Sequence, residues 1–264
     1  MEDDKDHVTR LVGRAVGDFN LIRNGDRILV AVSGGKDSYT LLDTLERLRH
    51  KAPIEFSIVA VHIDTGAPGM KSDCVEAYLS QQGYDYRIEH TQILRIALAH
   101  NKGEKLLCSL CSRLRRGLLY SMASKLGCNK LALGHNMDDL IETLLMNIFF
   151  NGRIKAMPAV SVSDNYKVTV IRPLIYVKAA AARDYASNLQ APLIDPQCPV
   201  SMTPELTNRQ KIRKMIAELE KGHPLIKDSI FASLKHIKAD SLLDMDFLED
   251  TIERSRKGRV MRED

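Results

Sequence analysis

Five apolar residues, Ile28-Leu29-Val30-Ala31-Val32, run directly into Ser33-Gly34-Gly35-Lys36-Asp37-Ser38, and a helical face of Leu41, Leu42, Leu45 and Leu48 follows. An unbroken apolar run marks a strand covered on both faces, as in the middle of a parallel sheet. Two glycines at its end let backbone N–H groups turn toward one point with no Cβ in the way. The helix start adds partial positive charge. Strand, glycine turn and helix in this order make an anion site. Ser33 and Ser38 supply hydroxyls, and Lys36 supplies a cation. Asp37 is out of place in a pure anion site and makes sense beside Mg²⁺. The loop fits neither G-x-x-x-x-G-K-[ST] nor G-x-G-x-x-G.

The rest of the chain repeats the alternation. Val8, Leu11, Val12, Ala15, Val16 and Phe19 give a lead-in helix, and Asn24-Gly25-Asp26 a turn. Ile58–Ile63 is a second buried strand ending at Asp64, followed by a helix over Ser72–Gln82 and a third strand over Tyr84–Glu89. Residues 90–107 read as polar, with an exposed loop at Lys102–Lys105. Cys108–Leu126 reads as a helix and Lys130–Leu133 as a fourth strand. Gly134-His135-Asn136-Met137-Asp138-Asp139 then leads into a helix through Phe150. Val168–Ile171 is a further strand, and 178–190 and 204–221 are helices. Strands alternating with helices predict an α/β fold, a doubly wound, mostly parallel sheet with helical N- and C-terminal extensions. The expected division is a lead-in at 1–26, the sheet domain at 27–190 and a C-terminal segment at 191–264.

The 264 residues suffice for one large domain or one with a small appendage. No stretch approaches the ~20 apolar residues of a membrane span, and the charged start MEDDKDHVTR has no apolar signal core, so a cytoplasmic protein is expected. The net charge of +4 is gathered in clusters: Arg113, Arg115 and Arg116; Arg209, Lys211, Arg213 and Lys214; Arg254, Arg256, Lys257 and Arg259. Several such clusters around an anion site favour a polyanionic partner.

Ser33–Ser38 closely resembles the PP-loop signature S-G-G-x-D-S of the ATP pyrophosphatases, which cleave ATP between the α and β phosphates. The resemblance covers about residues 25–190 and implies a PP-loop, HUP-like Rossmann-type domain. Ligands of such sheets bind at the carboxyl ends of the strands. Asp64, Gly134 and His135 therefore join Ser33, Gly34, Gly35, Lys36, Asp37 and Ser38 as candidate nucleotide-binding residues. Asp138 or Asp139 is expected near the metal or the reacting phosphate.

Five cysteines, an odd number, argue against a disulfide framework in a cytosolic chain. Cys108-Ser109-Leu110-Cys111 is a helix-borne C-x-x-C, open to redox, zinc and iron–sulfur readings. Zinc lacks a second ligand pair, and the redox reading lacks a thioredoxin-like context. A cluster completed by a distant cysteine is left. Cys198 is the candidate, in a loop stiffened by Pro196 and Pro199. Cys74 and Cys128 sit in amphipathic helix contexts and read as packing residues.

Cys108-Ser109-Leu110-Cys111-Ser112-Arg113-Leu114-Arg115-Arg116-Gly117, Leu133-Gly134-His135-Asn136-Met137-Asp138-Asp139 and Asn147-Ile148-Phe149-Phe150-Asn151-Gly152 are similar to the TtcA family, the tRNA 2-thiocytidine synthetases. The resemblance runs from about residue 8 to 190. It implies ATP, Mg²⁺ and a [4Fe–4S] cluster on Cys108, Cys111 and Cys198, with Lys36, Asp37, Asp138 and Arg115 as catalytic residues. Arg115 and Arg116 stand beside the implied cluster, able to bind tRNA phosphate or an adenylate. The implied partners are tRNA, with its target base (position 32) in a single-stranded loop, and a sulfur donor such as a cysteine desulfurase persulfide; a homodimer is allowed. Asp64-Thr65-Gly66-Ala67-Pro68, and Cys198-Pro199-Val200-Ser201 followed by Asn208–Arg213 in place of a second C-x-x-C, depart from the family pattern, and the C-terminal segment is closer to the relatives that thiolate uridines. A small-molecule synthetase on the same ATP core and a nucleotide-binding iron–sulfur redox sensor without catalysis are the other readings.

Overall fold

A computed structural model describes residues 2–100, 104–163, 168–194, 207–238 and 242–243. The opening helix α1 (Glu2–Asp18) leads to β1 (Arg27–Ala31), α2 (Lys36–Lys51), β2 (Ser57–Asp64), α3 (Ser72–Gln81) and β3 (Tyr86–His90). Then come α4 (Ile93–Ala99), α5 (Glu104–Lys125), β4 (Lys130–Ala132), α6 (Met137–Asn151), β5 (Val160–Ser163), β6 (Val168–Ile171), a 3₁₀ turn at Pro173–Tyr176, and α7 (Ala179–Ser187). The last described helices are α8 (Asn208–Gly222) and α9 (Ile226–Ser233). The chain divides into two compact units, up to Arg213 and from Lys214 onward. In the second unit, Lys221 pairs with Glu218 and Lys227 with Glu220.

The six strands form one sheet in the order β3-β2-β1-β4-β6-β5. All pairings are parallel except β5 with β6. The strand order reverses between β1 and β4, where side-by-side strand ends open a crevice. Leu29, Val59, Val61, Leu131, Val168 and Val170 form a core on one face with Ile93 of α4 and Leu119, Met122 and Ala123 of α5. The helices α1, α2 and α7 pack against one another, and Thr40 of α2 donates to the Ala182 carbonyl of α7. The expected doubly wound, mostly parallel architecture is the one observed.

Two local expectations are corrected. Residues 93–99 are a helix rather than part of a polar loop, because Ile93, Leu94 and Ala97 fall on one buried face. Glu104 and Lys105 belong to α5; residues 101–103 lie outside the described residues. The strand β5 was not anticipated. Its Val-Ser-Val-Ser alternation spans only four residues and leaves Val160 and Val162 exposed at the end of the sheet order.

Candidate active site

The PP-loop follows β1, one residue past Val32, whose amide donates to the Val61 carbonyl of β2. Gly34 has φ +82, a conformation that L side chains rarely adopt. Gly35 is the N-cap of α2 and brings no side-chain cap, which leaves the helix start open to an anion. Ser33 Oγ accepts from the Gly35 amide at 3.3 Å and donates to Ser38 Oγ at 3.4 Å; Ser38 Oγ donates to the Gly35 carbonyl at 2.7 Å. The two hydroxyls thus hold the loop's own backbone. Lys36 Nζ grips both oxygens of Asp37, at 2.7 and 2.8 Å, so a bound phosphate would compete with Asp37 for that cation.

A second loop, between β4 and α6, presses on the first. A Cβ on Gly134 would lie 3.1 Å from the Asp37 carbonyl and 3.3 Å from the Ser38 amide nitrogen. Its role is close approach of backbone to backbone. Asn136 Nδ2 donates to Asp37 Oδ1 at 3.0 Å, while Asn136 and Asp139 form a reciprocal capping box on α6. Asp139 is held above the usual carboxylate range by burial, and nearby Asp37 adds to the rise. Asp37 and Asp139 are therefore neighbours suited to share a hard cation. Asp138 points elsewhere: its Oδ2 accepts from the Ala179 amide at 2.7 Å and caps α7.

Asp64 ends β2. Burial works against its charge, but the Gly66 amide, the Ser72 hydroxyl and His90 hold its pKa below the usual value. Behind it lies His62, fully buried, with Nδ1 2.8 Å from the Val32 carbonyl and Nε2 3.1 Å from Ser72 Oγ. A carbonyl only accepts, so Nδ1 carries the proton. Burial lowers the His62 pKa and keeps the ring neutral. The one proton of the Ser72 hydroxyl serves either Nε2 or Asp64, the latter at 2.8 Å, while the bond from His62 to the Val32 carbonyl ties the end of β1 to β2.

Cys108 and Cys111 lie one turn apart on α5; Cys108 is exposed, and Cys111 is half-buried against the sheet core. Arg115 lies within electrostatic range of Cys111. Arg115 and Arg116 also act on His135, whose pKa is lowered to about 4 by burial first, then by Arg172, Arg209 and these two arginines. The C-x-x-C helix α5, which carries these arginines, packs on β4, the strand that leads into the His135 loop. Among the described residues, no group of three or more His, Cys, Asp or Glu is arranged to hold a metal ion. Cys198 lies outside the described residues, as does the basic cluster at Arg254–Arg259. Four residues before Cys198, the Ile194 amide donates to the Gly34 carbonyl at 2.9 Å, and Tyr39 donates to the Pro192 carbonyl at 3.1 Å.

Asn136 and Ile194 bond to the PP-loop, contacts that the sequence did not signal. Arg209 contacts Asp139 and Glu142, each at 3.2 Å, and Arg213 binds Glu142 bidentately at 2.7 and 3.2 Å. The Glu142 side chain is only 3% exposed. Two arginines expected to face a polyanion are therefore engaged by α6.

Residues 5–219 match the PP-loop domain family. The fold and crevice are thus those of the PP-loop ATP-binding class. A tRNA-cytidine(32) 2-sulfurtransferase from Geobacter sulfurreducens is 48% identical over 239 residues, covering 90% of this chain and 93% of its own. One from Geobacter metallireducens is 46% identical over 233 residues, covering 88% and 90%. The chain belongs to the tRNA-cytidine(32) 2-sulfurtransferase family. The U34-tRNA thiolase NcsA of Methanococcus maripaludis, solved with its [4Fe-4S] cluster, superposes with a TM-score of 0.70 at 24% identity, covering 90% of this chain and 81% of its own, and shares the fold.

Proposed function

We propose that the chain is an ATP-dependent tRNA thiolase that converts cytidine 32 to 2-thiocytidine. The observation that carries this reading is the packing of the C-x-x-C helix α5 on β1, β4 and β6, the strands that border the crevice, with Cys111 against the sheet core. The cytidine target follows the relatives of 43–48% identity; a uridine target is the alternative outcome of the test below.

In this reading the PP-loop holds the ATP phosphates at the open start of α2. The base oxygen at C2 attacks the α-phosphorus, the bond to the β-phosphate breaks, and pyrophosphate leaves. Lys36, released from Asp37, offsets charge on the departing phosphates. Asp37 and Asp139 would hold Mg²⁺, whose role is to neutralise phosphate oxygens. Sulfur at the hydrosulfide level then bonds to C2, and AMP departs with the former base oxygen. Arg115 would hold the adenylate phosphate.

The donor set on α5 fits a cluster: two soft thiol ligands one turn apart, one exposed and one against the core. With Cys198 they would hold a [4Fe–4S] cluster, which supplies an iron that accepts sulfur. Support for Cys198 comes from its tether. Four residues of chain reach at most about 14 Å, and Ile194, where they start, is bonded to the PP-loop. A persulfide-bearing partner is the proposed sulfur source, with a thiol reductant supplying the two electrons that convert RS–SH to RSH and HS⁻, and a cytoplasmic location fits a tRNA substrate.

Mass spectrometry of tRNA nucleosides from cells lacking the protein tests the assignment. Loss of 2-thiocytidine alone is expected. Loss of a 2-thiouridine instead would transfer the chain to the uridine enzymes, and an unchanged nucleoside profile would defeat the thiolase reading.

A further inference from the structure

The described arginines near the crevice fall into two groups. Arg209 and Arg213 are matched by Asp139 and Glu142. Arg115, Arg116 and Arg172 are matched by no carboxylate among the described residues. The groups that act on Arg172 besides burial are Arg116 and the Tyr120 phenol; those acting on Arg115 are Cys111 and Arg116. Like charges gathered without a counter-charge destabilise the fold unless an anion joins them.

The topology explains how they meet. Arg172 follows the last residue of β6, and His135 lies three residues past the end of the adjacent β4, with Ala132 opposite Ile171. The helix α5 packs on both strands and carries Arg115 and Arg116. Arg172 is anchored by donating to the Pro158 carbonyl at 2.7 Å. Its Nε and the Nδ1 of His135 are both buried with no hydrogen-bond partner among the described residues. Burying a polar atom without a partner is costly, so this spot has two unmet bonds as well as unmet charge.

We propose that Arg116 and Arg172, with His135 between the strand ends, form a binding site for a backbone phosphodiester of the tRNA. The inference rests on the tRNA reading above. The phosphates of ATP already have the PP-loop, the start of α2 and Lys36. Arg172 stands just past the end of β6, a strand two spacings or about 10 Å from β1 and packed by α5, the helix that carries the thiols. Arg116 is exposed, as suits a contact with a macromolecule. A phosphate held there would fix the backbone next to the base being activated, and phosphate contacts of this kind position a nucleic acid without reading its sequence.

The test is binding of an unmodified tRNA transcript, over a range of KCl concentrations, to the full chain purified without air. ATP affinity is measured in parallel without tRNA. Arg116→Gln and Arg172→Gln are each expected to weaken tRNA binding by about three- to tenfold. They should also flatten the slope of log K against log salt by about one phosphate contact, with ATP affinity unchanged. Because Arg116 is exposed, its variant tests the site even if Arg172→Gln folds poorly. An unchanged salt slope in Arg116→Gln overturns the site. A fall in ATP affinity in its place assigns the anion to the nucleotide's own phosphates and also overturns it. A wild-type chain that ignores tRNA at every salt concentration brings down the thiolase reading and the site with it.

Discussion

The Ile194 amide bonds to the Gly34 carbonyl at 2.9 Å, and the Ile194 side chain fills the space where Gly34 has no Cβ. The PP-loop and the segment leading toward Cys198 are therefore one packed unit. Gly34→Ala would place a Cβ 3.0 Å from Ile194 at φ +82. The backbone strain alone costs about 1–2 kcal/mol. ATP-dependent activity should fall roughly five- to thirtyfold, mainly through KM for ATP. Ile194→Gly in the same chain removes all the side-chain atoms in the overlap but not the strain, so it should restore only part of the loss. Full restoration would show that φ at this position does not matter.

Asp138 and Asp139 are adjacent in sequence but differ in role. Asp139 faces Asp37 and Arg209, whereas Asp138 caps α7. Asp139→Asn should lower the rate of pyrophosphate release by about a hundredfold or more with tRNA bound. Asp138→Ala should cost about 1 kcal/mol of stability and less than tenfold in rate. Steady-state kinetics beside urea unfolding separate the two, and the reverse ranking would move the reacting phosphate to Asp138.

His135 binds its proton only near pH 4 in the folded chain, against 6.5 ordinarily. Between those values the unfolded chain takes up a proton that the folded chain refuses. The stability that His135 contributes is thus complete above pH 6.5 and is lost as pH falls toward 4. The gap is worth up to about 3 kcal/mol. In His135→Gln the decline of stability over that interval should be shallower by about this amount, read from urea midpoints. Parallel pH profiles for the two proteins would show that the ring is not held neutral.

The cysteines should separate by position. Cys108→Ser and Cys111→Ser are expected to abolish 2-thiocytidine while ATP still binds. Cys128 is 4% exposed in the sheet core, so Cys128→Ala should cost about 1 kcal/mol and leave thiolation intact. Cys74 is exposed, and Cys74→Ser should change neither. Nucleoside mass spectrometry and unfolding curves check all four; normal thiolation in Cys111→Ser would remove α5 from the sulfur chemistry.

Much of this molecule could be read from local pattern. The strands β1 and β2 are long apolar runs, and their ends fall within a residue of expectation. The loop Ser33–Ser38 carries its chemistry in consecutive residues. The strand β5 escaped because four residues of Val-Ser alternation hold too little signal, and α4 because its polar flanks masked Ile93, Leu94 and Ala97. The site partners that escaped are those made by the fold. Asn136 lies 99 residues from Asp37, and Arg209 lies 67 from Glu142. Pairings at such separations leave no periodicity to detect. Both aspartates of Asp138-Asp139 were visible, but only the position of α7 shows which one turns away.

Gly134 has a consequence for motion. Its backbone rests on that of Asp37 and Ser38 with no room for even one added carbon. The two crevice loops must therefore shift together or not at all. Whatever rearrangement lets a bulky RNA in and a spent nucleotide out has to be borne by the surrounding walls, while the floor beneath the phosphates keeps its shape through every turnover.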